Sequence, residues 1–190
     1  MQLVNVFLTE FRLRKKAKTH PLFKKLQKLD GKIVSFKGDY NPEFVFIGEA
    51  PGFTEIKTGI PFSGKSGVLL KKWVEKTKIK SYAIINTIPL IPLDSLDKIR
   101  PPTDDEIDFF RPNTFALLQM LDSKYIVCVG KTAAKFLKKE FKLKKWDKNV
   151  GFIYHPSYYL RKGRTGIPDF VELFEKKPLI KKKKERQLFL

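Results

Sequence analysis

Short, uninterrupted apolar runs are the clearest pattern along the chain, and glycine, proline or charged residues bound each of them. Runs of this length without polar alternation are typical of strands that are buried on both faces of a parallel sheet. The pattern predicts four such strands, the last of which runs into a loop: 44–47, 82–85, 125–130 and 151–157.

Before and between these runs, apolar residues recur at the spacing of an α-helix. Thr103 is followed three residues later by Glu106, which predicts a capping box at a helix start, and Pro112 predicts a break or restart within that helix. Ser66 is the predicted N-cap of another helix. The predicted helices are one or two over 1–30, broken at His20-Pro21, and others over 66–77, from Thr103 onward, over 131–141 and over 168–177.

Apolar strands that alternate with helices predict an α/β fold, with a central parallel four-stranded sheet flanked by helices on both faces. We expect a single domain over 1–175, beginning with the helical segment 1–30, and a basic tail over 176–190. Ligands of such sheets bind at the carboxyl ends of the strands. In this chain those ends carry GEAPG (48–52), Asn86, Gly130 and His155-Pro156-Ser157.

The net charge of +19, from 39 basic and 20 acidic residues, favours a polyanionic partner, most simply nucleic acid. A lysine-rich composition without functional meaning is the alternative. Lysines cluster in KKKKER at 181–186, where a basic arm would add affinity for nucleic acid that does not depend on base sequence.

The composition also excludes several classes of protein and site. The apolar runs fall short of the about 18–20 residues that a membrane span needs. The N-terminus has its charges after its apolar part, the reverse of a signal peptide, so we expect a soluble intracellular protein. Cys128 is the only cysteine, which excludes an internal disulfide and a cysteine-rich metal site, and its apolar surroundings predict a buried strand residue. Any histidine chemistry has to use His20 or His155.

The segment GIPFSGKS (59–66) matches the phosphate-binding loop of nucleotide hydrolases, but its surroundings argue against that function. Eleven residues separate Gly59 from Ile47, the end of the preceding strand, whereas a phosphate loop follows its strand directly. Pro61 lacks the backbone N–H that such a loop presents to phosphates. No apolar strand ends in the aspartate that would help to hold Mg²⁺. Nucleotide hydrolysis is therefore the less favoured alternative.

Four segments, taken in order, resemble the uracil-DNA glycosylase superfamily and are most similar to its family 4. The resemblance covers roughly 44–162 and implies removal of uracil from DNA by hydrolysis of the N-glycosidic bond, which leaves an abasic site. The base has to be flipped out of the duplex or met in a single strand. We expect a monofunctional enzyme that is a monomer and binds uracil-containing DNA. The segments are GEAPG (48–52) with Glu55 following, GIPFSGKSG (59–67), Asn86 with RPPT-x-x-E-I and a second Arg-Pro (100–112), and VGKTAA (129–134) with HPS (155–157).

The resemblance implies which side chains read the base. Phe62 would stack against it. Asn86 would pair with its O4 and N3–H, because a carboxamide offers both a donor and an acceptor, and cytosine presents the opposite pattern. Glu55 would shape the pocket near uracil C5, where thymine carries its methyl group.

The resemblance likewise implies which groups perform the chemistry, in which an oxocarbenium-like sugar separates from a uracil anion. Glu49 would position the water and counter the cationic sugar, with Glu55 as the alternative. His155 would donate a hydrogen bond to O2 of the departing uracil. Backbone N–H groups around Gly48–Gly52, with that of Ala50 among them, would bind O2 or hold the water.

Two segments are predicted to hold the DNA. The loop after HPS would press into the duplex where the base has left, and Ser63 to Gly67 would form a phosphate-binding turn at a helix N-terminus. The predicted DNA-binding residues are Ser63, Lys65 and Ser66 in the turn, and Ser157, Tyr158, Tyr159, Leu160, Arg161, Lys162 and Arg164 in the loop.

One departure from family 4 concerns its iron–sulfur cluster, which members usually hold on four cysteines. Leu90 and Phe110 stand at two of those positions, and the N-terminal pair has no counterpart. We therefore expect no cofactor and no metal, with apolar packing in place of the cluster. Two further hypotheses stay open: a catalytically silent DNA-binding relative, and a glycosylase for another deaminated base such as hypoxanthine or xanthine.

Overall fold

A computed structural model describes residues 2–143 and 149–165 of the chain. The predicted helix over 168–177, the basic tail and the predicted domain boundary after residue 175 lie outside these residues. The elements are α1 Gln2–Ala17, α2 Pro21–Lys28, β1 Phe36–Gly38, β2 Phe44–Gly48, α3 Phe53–Thr58, α4 Lys65–Glu75, β3 Tyr82–Asn86, α5 Asp104–Met120, β4 Tyr125–Val129, α6 Lys131–Leu143, β5 Asn149–Ile153 and α7 Pro156–Arg161.

Five strands in the described part of the chain form one mixed sheet in the order β1-β3-β2-β4-β5. The prediction of four parallel strands is wrong in number, because β1 adds an antiparallel edge strand beside β3. This strand is only three residues long and mostly exposed, so it lacks the apolar run that identifies the other four. Strands β2 to β5 run parallel as predicted, and their register pairs Gly48 with Asn86.

The sheet separates two apolar cores, which confirms the predicted α/β fold with helices on both faces. Alternate residues of each strand point to opposite faces. Val45 and Ile47 belong to the core under α1, α2, α5 and α6, whereas Phe44 and Phe46 belong to the core under α4. Cys128 is buried in β4 as predicted.

Helix α5 shows one confirmed prediction and one wrong one. The capping box forms, since Thr103 Oγ1 accepts from the N–H of Glu106 at 3.2 Å and Glu106 Oε2 accepts from the N–H of Thr103 at 2.8 Å. Pro112 neither breaks nor restarts the helix, which continues to Met120. The lost backbone bond is outweighed by packing, because Phe110 and Phe115 on either side of the proline are buried in the core.

Two other helix starts differ from prediction. Helix α4 begins at Lys65 with Gly64 as N-cap, so Ser66 is not the cap. The segment after HPS is the short helix α7 rather than a loop, and it follows β5 after only two residues. Helix α7 starts here because Pro156 fits the first helical position and the side chain of His155 caps the N-terminus.

Helix α1 packs against α5 through one face and exposes apolar side chains on the other. Val6, Leu13 and Ala17 are buried. Phe7 and Phe11 lie on the outer face and are each 58% exposed. Among the described residues, no helix combines the length and the apolar character needed to cross a membrane.

Candidate active site

A cavity of about 520 Å³ opens at the carboxyl ends of the parallel strands. The β2–α3 connection, the start of α4, the end of β3, the segment before α5 and the start of α7 all contribute to it. Nine of the predicted site residues line it: Glu49, Ala50, Glu55, Phe62, Ser66, Asn86, His155, Ser157 and Arg161.

Beside this cavity, the side chains of Phe62 and Asn86 pack closely over Gly48. A Cβ atom at Gly48 would lie 2.4 Å from Phe62 Cε2 and 2.6 Å from Asn86 Oδ1, so both side chains reach over the bare glycine. Phe62 has a φ of 53°, a left-handed conformation that is unusual for a bulky residue. Its carbonyl lies 1.6 Å from where a Cβ of Gly67 would stand, so a glycine in α4 is required for this approach.

Asn86 ends β3 and is only 3% exposed. Its Oδ1 is buried and accepts no hydrogen bond from any described residue. Leaving such an acceptor unsatisfied costs about 1–3 kcal/mol. A ligand in the cavity with an N–H group aimed at Oδ1 would satisfy it.

His155 is held as a neutral imidazole of defined tautomer. The backbone N–H of Ser157 donates to its Nδ1 at 3.2 Å, and Ser157 Oγ lies 2.8 Å from the same atom. Because a backbone N–H can only donate, Nδ1 carries the lone pair and the ring proton is on Nε2. Burial and the charge of Arg161, opposed by Glu55, lower the pKa of His155 to about 4. The ring therefore presents a neutral N–H donor at pH 7.

The carboxylate of Glu49 is held by Thr132 at the start of α6, whose hydroxyl donates to Oε2. The backbone of Glu49 is fixed as well, because its carbonyl accepts from the hydroxyl of Thr87 and from the N–H of Ile88 at 3.3 Å. Thr87 is fully buried, and its own carbonyl accepts from Thr114 Oγ1 at 3.1 Å. Sequence reasoning quoted Thr132 within VGKTAA but gave it no role.

Glu55 ties two loops of the site together. Its Oε2 accepts from the N–H of Gly52 at 3.1 Å, and its Oε1 accepts from the N–H of Gly64 at 2.8 Å. The carboxylate therefore occupies one backbone N–H of the predicted phosphate-binding turn, that of Gly64. Ser63 in that turn is engaged with Thr58 through a 2.7 Å contact between their hydroxyls.

Arg161 reaches the site through its guanidinium, which donates to Ser157 Oγ at 3.2 Å. Ser157 thus links Arg161 to His155. The exposed Arg164 lies beyond α7, and its backbone N–H donates to the carbonyl of Tyr159 at 2.9 Å.

The remaining predicted DNA-binding side chains are packed against neighbours rather than gathered at the cavity. Tyr158 stacks on Tyr154 at 5.1 Å between ring centroids, with the Lys162 ammonium 4.8 Å from the Tyr158 ring. Tyr159 packs edge-on against Trp73 at 5.1 Å. A second cavity of about 440 Å³ lies between α4 and α7 and is lined in part by Lys65 and Leu160.

The segment before α5 forms a wall of the cavity that sequence reasoning missed. It contributes Pro92, Ile99, Arg100 and Pro101. Arg100 makes two hydrogen bonds to Glu106, at 2.5 and 2.8 Å. Burial acts to raise the pKa of Glu106, but the bonds from Arg100 and Thr103 outweigh it and lower that pKa. The RPPT-x-x-E motif was the available signal, although it named no role for Arg100.

The residues present do not fit an iron–sulfur cluster. Cys128 is the one cysteine in the sequence, and burial in β4 raises the pKa of its thiol to about 12. Leu90 and Phe110 are fully buried, and the His20 ring packs 5.1 Å from that of Phe110. Within the described residues, no group of His, Cys, Asp and Glu side chains could hold a metal ion.

Comparison with known proteins agrees with this arrangement. A type-4 uracil-DNA glycosylase of Thermotoga maritima is 31% identical over 142 residues, which cover 68% of this chain and 72% of that protein. A type-4 uracil-DNA glycosylase of Archaeoglobus fulgidus is 29% identical over 154 residues, which cover 71% and 75% respectively. The sequence profile described as the uracil DNA glycosylase superfamily matches residues 36–177. The chain belongs to the uracil-DNA glycosylase superfamily.

Proposed function

We propose that this protein is a monofunctional uracil-DNA glycosylase, which hydrolyses the N-glycosidic bond of a flipped-out uracil and leaves an abasic site. Membership of the superfamily and the names of the two relatives support this function. Asn86, Glu49 and His155 supply the groups that the reaction needs, at one cavity.

The observation that carries the proposal is the unsatisfied Oδ1 of Asn86. Uracil has an N–H at position 3 between two carbonyls, so N3–H would donate to Oδ1 while the amide NH₂ of Asn86 donates to O4. Cytosine has a bare nitrogen at position 3 and would leave Oδ1 unpaired. A site built around a buried acceptor rejects a base that lacks the matching donor more strongly than a purely apolar pocket would.

His155 is suited to stabilising the uracil that leaves. As the glycosidic bond breaks, negative charge collects on the ring and its O2. A neutral Nε2–H aimed at O2 would stabilise that charge without having to lose a proton. The low pKa of His155 keeps this donor in the same protonation state across the neutral pH range.

Glu49 is suited to stabilising the positive charge that develops on the sugar. A carboxylate beside the sugar would stabilise its cationic character and orient the attacking water. Thr132 donates to Oε2, and no described residue makes a hydrogen bond to Oε1, which leaves that oxygen for a water. We therefore assign Thr132 as the residue that positions Glu49.

The match to a nucleotide-binding loop has a different explanation. Helix α3 lies between β2 and α4, so GIPFSGKS does not connect a strand directly to a helix. One N–H of this segment already donates to Glu55. The segment instead carries Phe62, whose ring lies against Gly48 and would stack on the base.

The decisive experiment uses an end-labelled oligonucleotide with one uracil, in single-stranded and in duplex form, followed by alkaline cleavage of abasic sites. We expect a band at the uracil position and none for cytosine or thymine. Glu49→Gln and His155→Ala should abolish most of it, whereas Glu75→Gln on the exposed side of α4 should not. Full activity of both site variants would overturn the assignment. A band with hypoxanthine or xanthine but none with uracil would show that another deaminated base is the substrate. DNA binding without release of any base would indicate a catalytically silent relative.

A further inference from the structure

A base that flips out of the duplex leaves a space in the base stack, and the contacts of the α7 side chains do not identify which group fills it. Tyr159 packs edge-on against Trp73, and Leu160 lines the separate cavity between α4 and α7. Tyr158 stacks on Tyr154. An apolar group that enters DNA has to project from the surface on a firm support. Another wall of the cavity carries such a group.

That wall is a hairpin over residues 92–100, closed by a β-bridge between Leu93 and Ile99. The backbone N–H of Asp94 donates to the carbonyl of Lys98 at 2.9 Å. The carboxylate of Asp94 accepts from the N–H of Leu96 at 2.8 Å and from that of Lys98 at 2.9 Å. The turn is thus held by its own hydrogen bonds.

The hairpin is also fixed to the body of the protein. Leu93 is buried in the core, and the ammonium of Lys25 donates to the carbonyl of Asp94. The same ammonium lies 3.6 Å from the carboxylate of Asp97, whose charge it offsets. At the other end, Arg100 is paired with Glu106 as described above.

Leu96 stands at the tip of this hairpin and is 73% exposed, the largest exposed fraction of any large hydrophobic residue that the structure describes. Ile99, three residues further on, lines the base cavity. Three extended residues span at most about 10 Å, and successive base pairs are about 3.4 Å apart. The Cα atom of Leu96 therefore lies within about 10 Å of that of Ile99, a distance equal to about three base-pair steps. The exposed Lys98 beside it offers a cation to the phosphates.

We propose that the hairpin over 92–100 is a duplex-binding element, in which Leu96 inserts into the base stack beside the flipped nucleotide and Lys98 contacts the backbone. An apolar wedge of this kind lowers the cost of unstacking and holds the base outside the helix. The inference rests on the proposed function, since it places the wedge relative to the uracil cavity. A single-stranded substrate has no stack to open, so the wedge matters for duplex DNA only.

The test compares Leu96→Ala, Leu96→Met and the remote control Leu3→Ala on α1, each with uracil in duplex and in single-stranded DNA. We expect Leu96→Ala to lower kcat/KM on the duplex about tenfold and to change it less than twofold on the single strand. Leu96→Met should keep most of the duplex activity, because it retains an apolar wedge, and Leu3→Ala should resemble the unchanged protein. Equal losses on both substrates, or no loss on the duplex, would overturn the inference.

A second measurement does not depend on catalysis. A duplex with a tetrahydrofuran abasic analogue and an adjacent 2-aminopurine reports unstacking as a rise in fluorescence on binding. We expect the rise with the unchanged protein and its loss with Leu96→Ala at saturating concentration. An unchanged rise would refute the wedge. Absence of uracil excision by the unchanged protein would refute the proposed function instead, and the fluorescence result would still decide the inference.

Discussion

Displacing Phe62 and Asn86 by Gly48→Ala is the most direct test of the proposed base-binding role of these two side chains. The added Cβ would lie 2.4 and 2.8 Å from two carbons of the Phe62 ring and 2.6 Å from Asn86 Oδ1. Carbon atoms in contact are about 3.5–4.0 Å apart, so the ring has to retreat by about 1 Å or more. The ring has little room, because the Phe62 backbone already rests on α4 at Gly67.

The expected cost has two parts. Overpacking of a filled site destabilises a protein by about 1–3 kcal/mol. The displaced ring and carboxamide would also misplace the base by an amount that costs about 100-fold in rate. Both are measurable, the first by thermal unfolding and the second by single-turnover excision of uracil from a single strand, well below the melting temperature.

Gly31→Ala is the matched control. Its added Cβ would lie 2.4 Å from Leu26 Cδ1 and 3.1 Å from Ile56 Cδ1, which is a similar overlap in the core away from the cavity. We expect Gly31→Ala to lower stability and leave the excision rate of the folded protein unchanged. If folded Gly48→Ala excises uracil at the normal rate, Phe62 and Asn86 do not hold the base. If Gly31→Ala slows excision as much as Gly48→Ala, the loss reflects loosening of the fold.

Three further outcomes are expected. Thr132→Val removes a hydrogen bond to a carboxylate that is worth about 2 kcal/mol, so kcat should fall about 30-fold while KM stays nearly unchanged. Thr132→Ser should restore kcat. In a Glu49→Gln background, Thr132→Val should cause no further loss of activity. The pKa of His155 is lower in the folded protein than its ordinary value of 6.5, so folding stability should fall by up to about 3 kcal/mol as pH drops from 6.5 to about 4, with no such loss above pH 6.5. Unfolding of His155→Gln, which lacks this dependence, and NMR titration of the His155 ring check it. Glu106→Gln releases Arg100 at the base of the hairpin, so it should lower the free energy of unfolding by about 1–2 kcal/mol in denaturant unfolding. It should also slow uracil excision from duplex DNA more than from single-stranded DNA. Equal effects on both substrates would contradict a role of Arg100 and Glu106 in supporting the hairpin.

The strands and the position of the cavity could be predicted because burial on both faces leaves a simple mark on the sequence. Each of the four central strands is an apolar run, and parallel pairing then places their carboxyl ends at one edge. Gly48 and Asn86 meet for this reason, through the register of β2 and β3. The edge strand β1 left no such mark, because an exposed strand of three residues has no need of apolar side chains.

The start of α7 was missed although the chain contains the same signal twice. In His20-Pro21 and in His155-Pro156, the histidine Nδ1 accepts from the N–H two residues later and the proline takes the first helical position. The first pair indicates a helix boundary, whereas the second follows a strand, a position that favours a loop. A histidine acceptor is a weak cap in sequence statistics, so only the paired proline could have identified it.

Thr132 and the hairpin over 92–100 could not be predicted, for a different reason. A threonine in the first turn of a helix is common and predicts no special role. The hydroxyl of Thr132 donates to Glu49, which lies 83 residues away in the sequence, so only the fold reveals this contact. The proline-rich connection shows no strand pattern, and its shape depends on Asp94 accepting from two N–H groups of its own turn. Such contacts depend on side-chain positions that periodicity does not encode.

Carboxylates near a DNA-binding site raise an electrostatic difficulty, since each repels the phosphates. Three acids lie at or beside this cavity, and each accepts hydrogen bonds that spread its charge: Glu55 from two backbone N–H groups, Glu106 from Arg100 and Thr103, and Glu49 from Thr132. Glu55 and Glu106 use both oxygens in this way and hold two segments of the cavity wall in place. Only Glu49 keeps an oxygen without a partner among the described residues. Glu49 is therefore the acid that could contact a water and a cationic sugar, because its second oxygen does not hold a neighbouring segment in place. The net charge of +19 supplies the attraction between the protein and DNA.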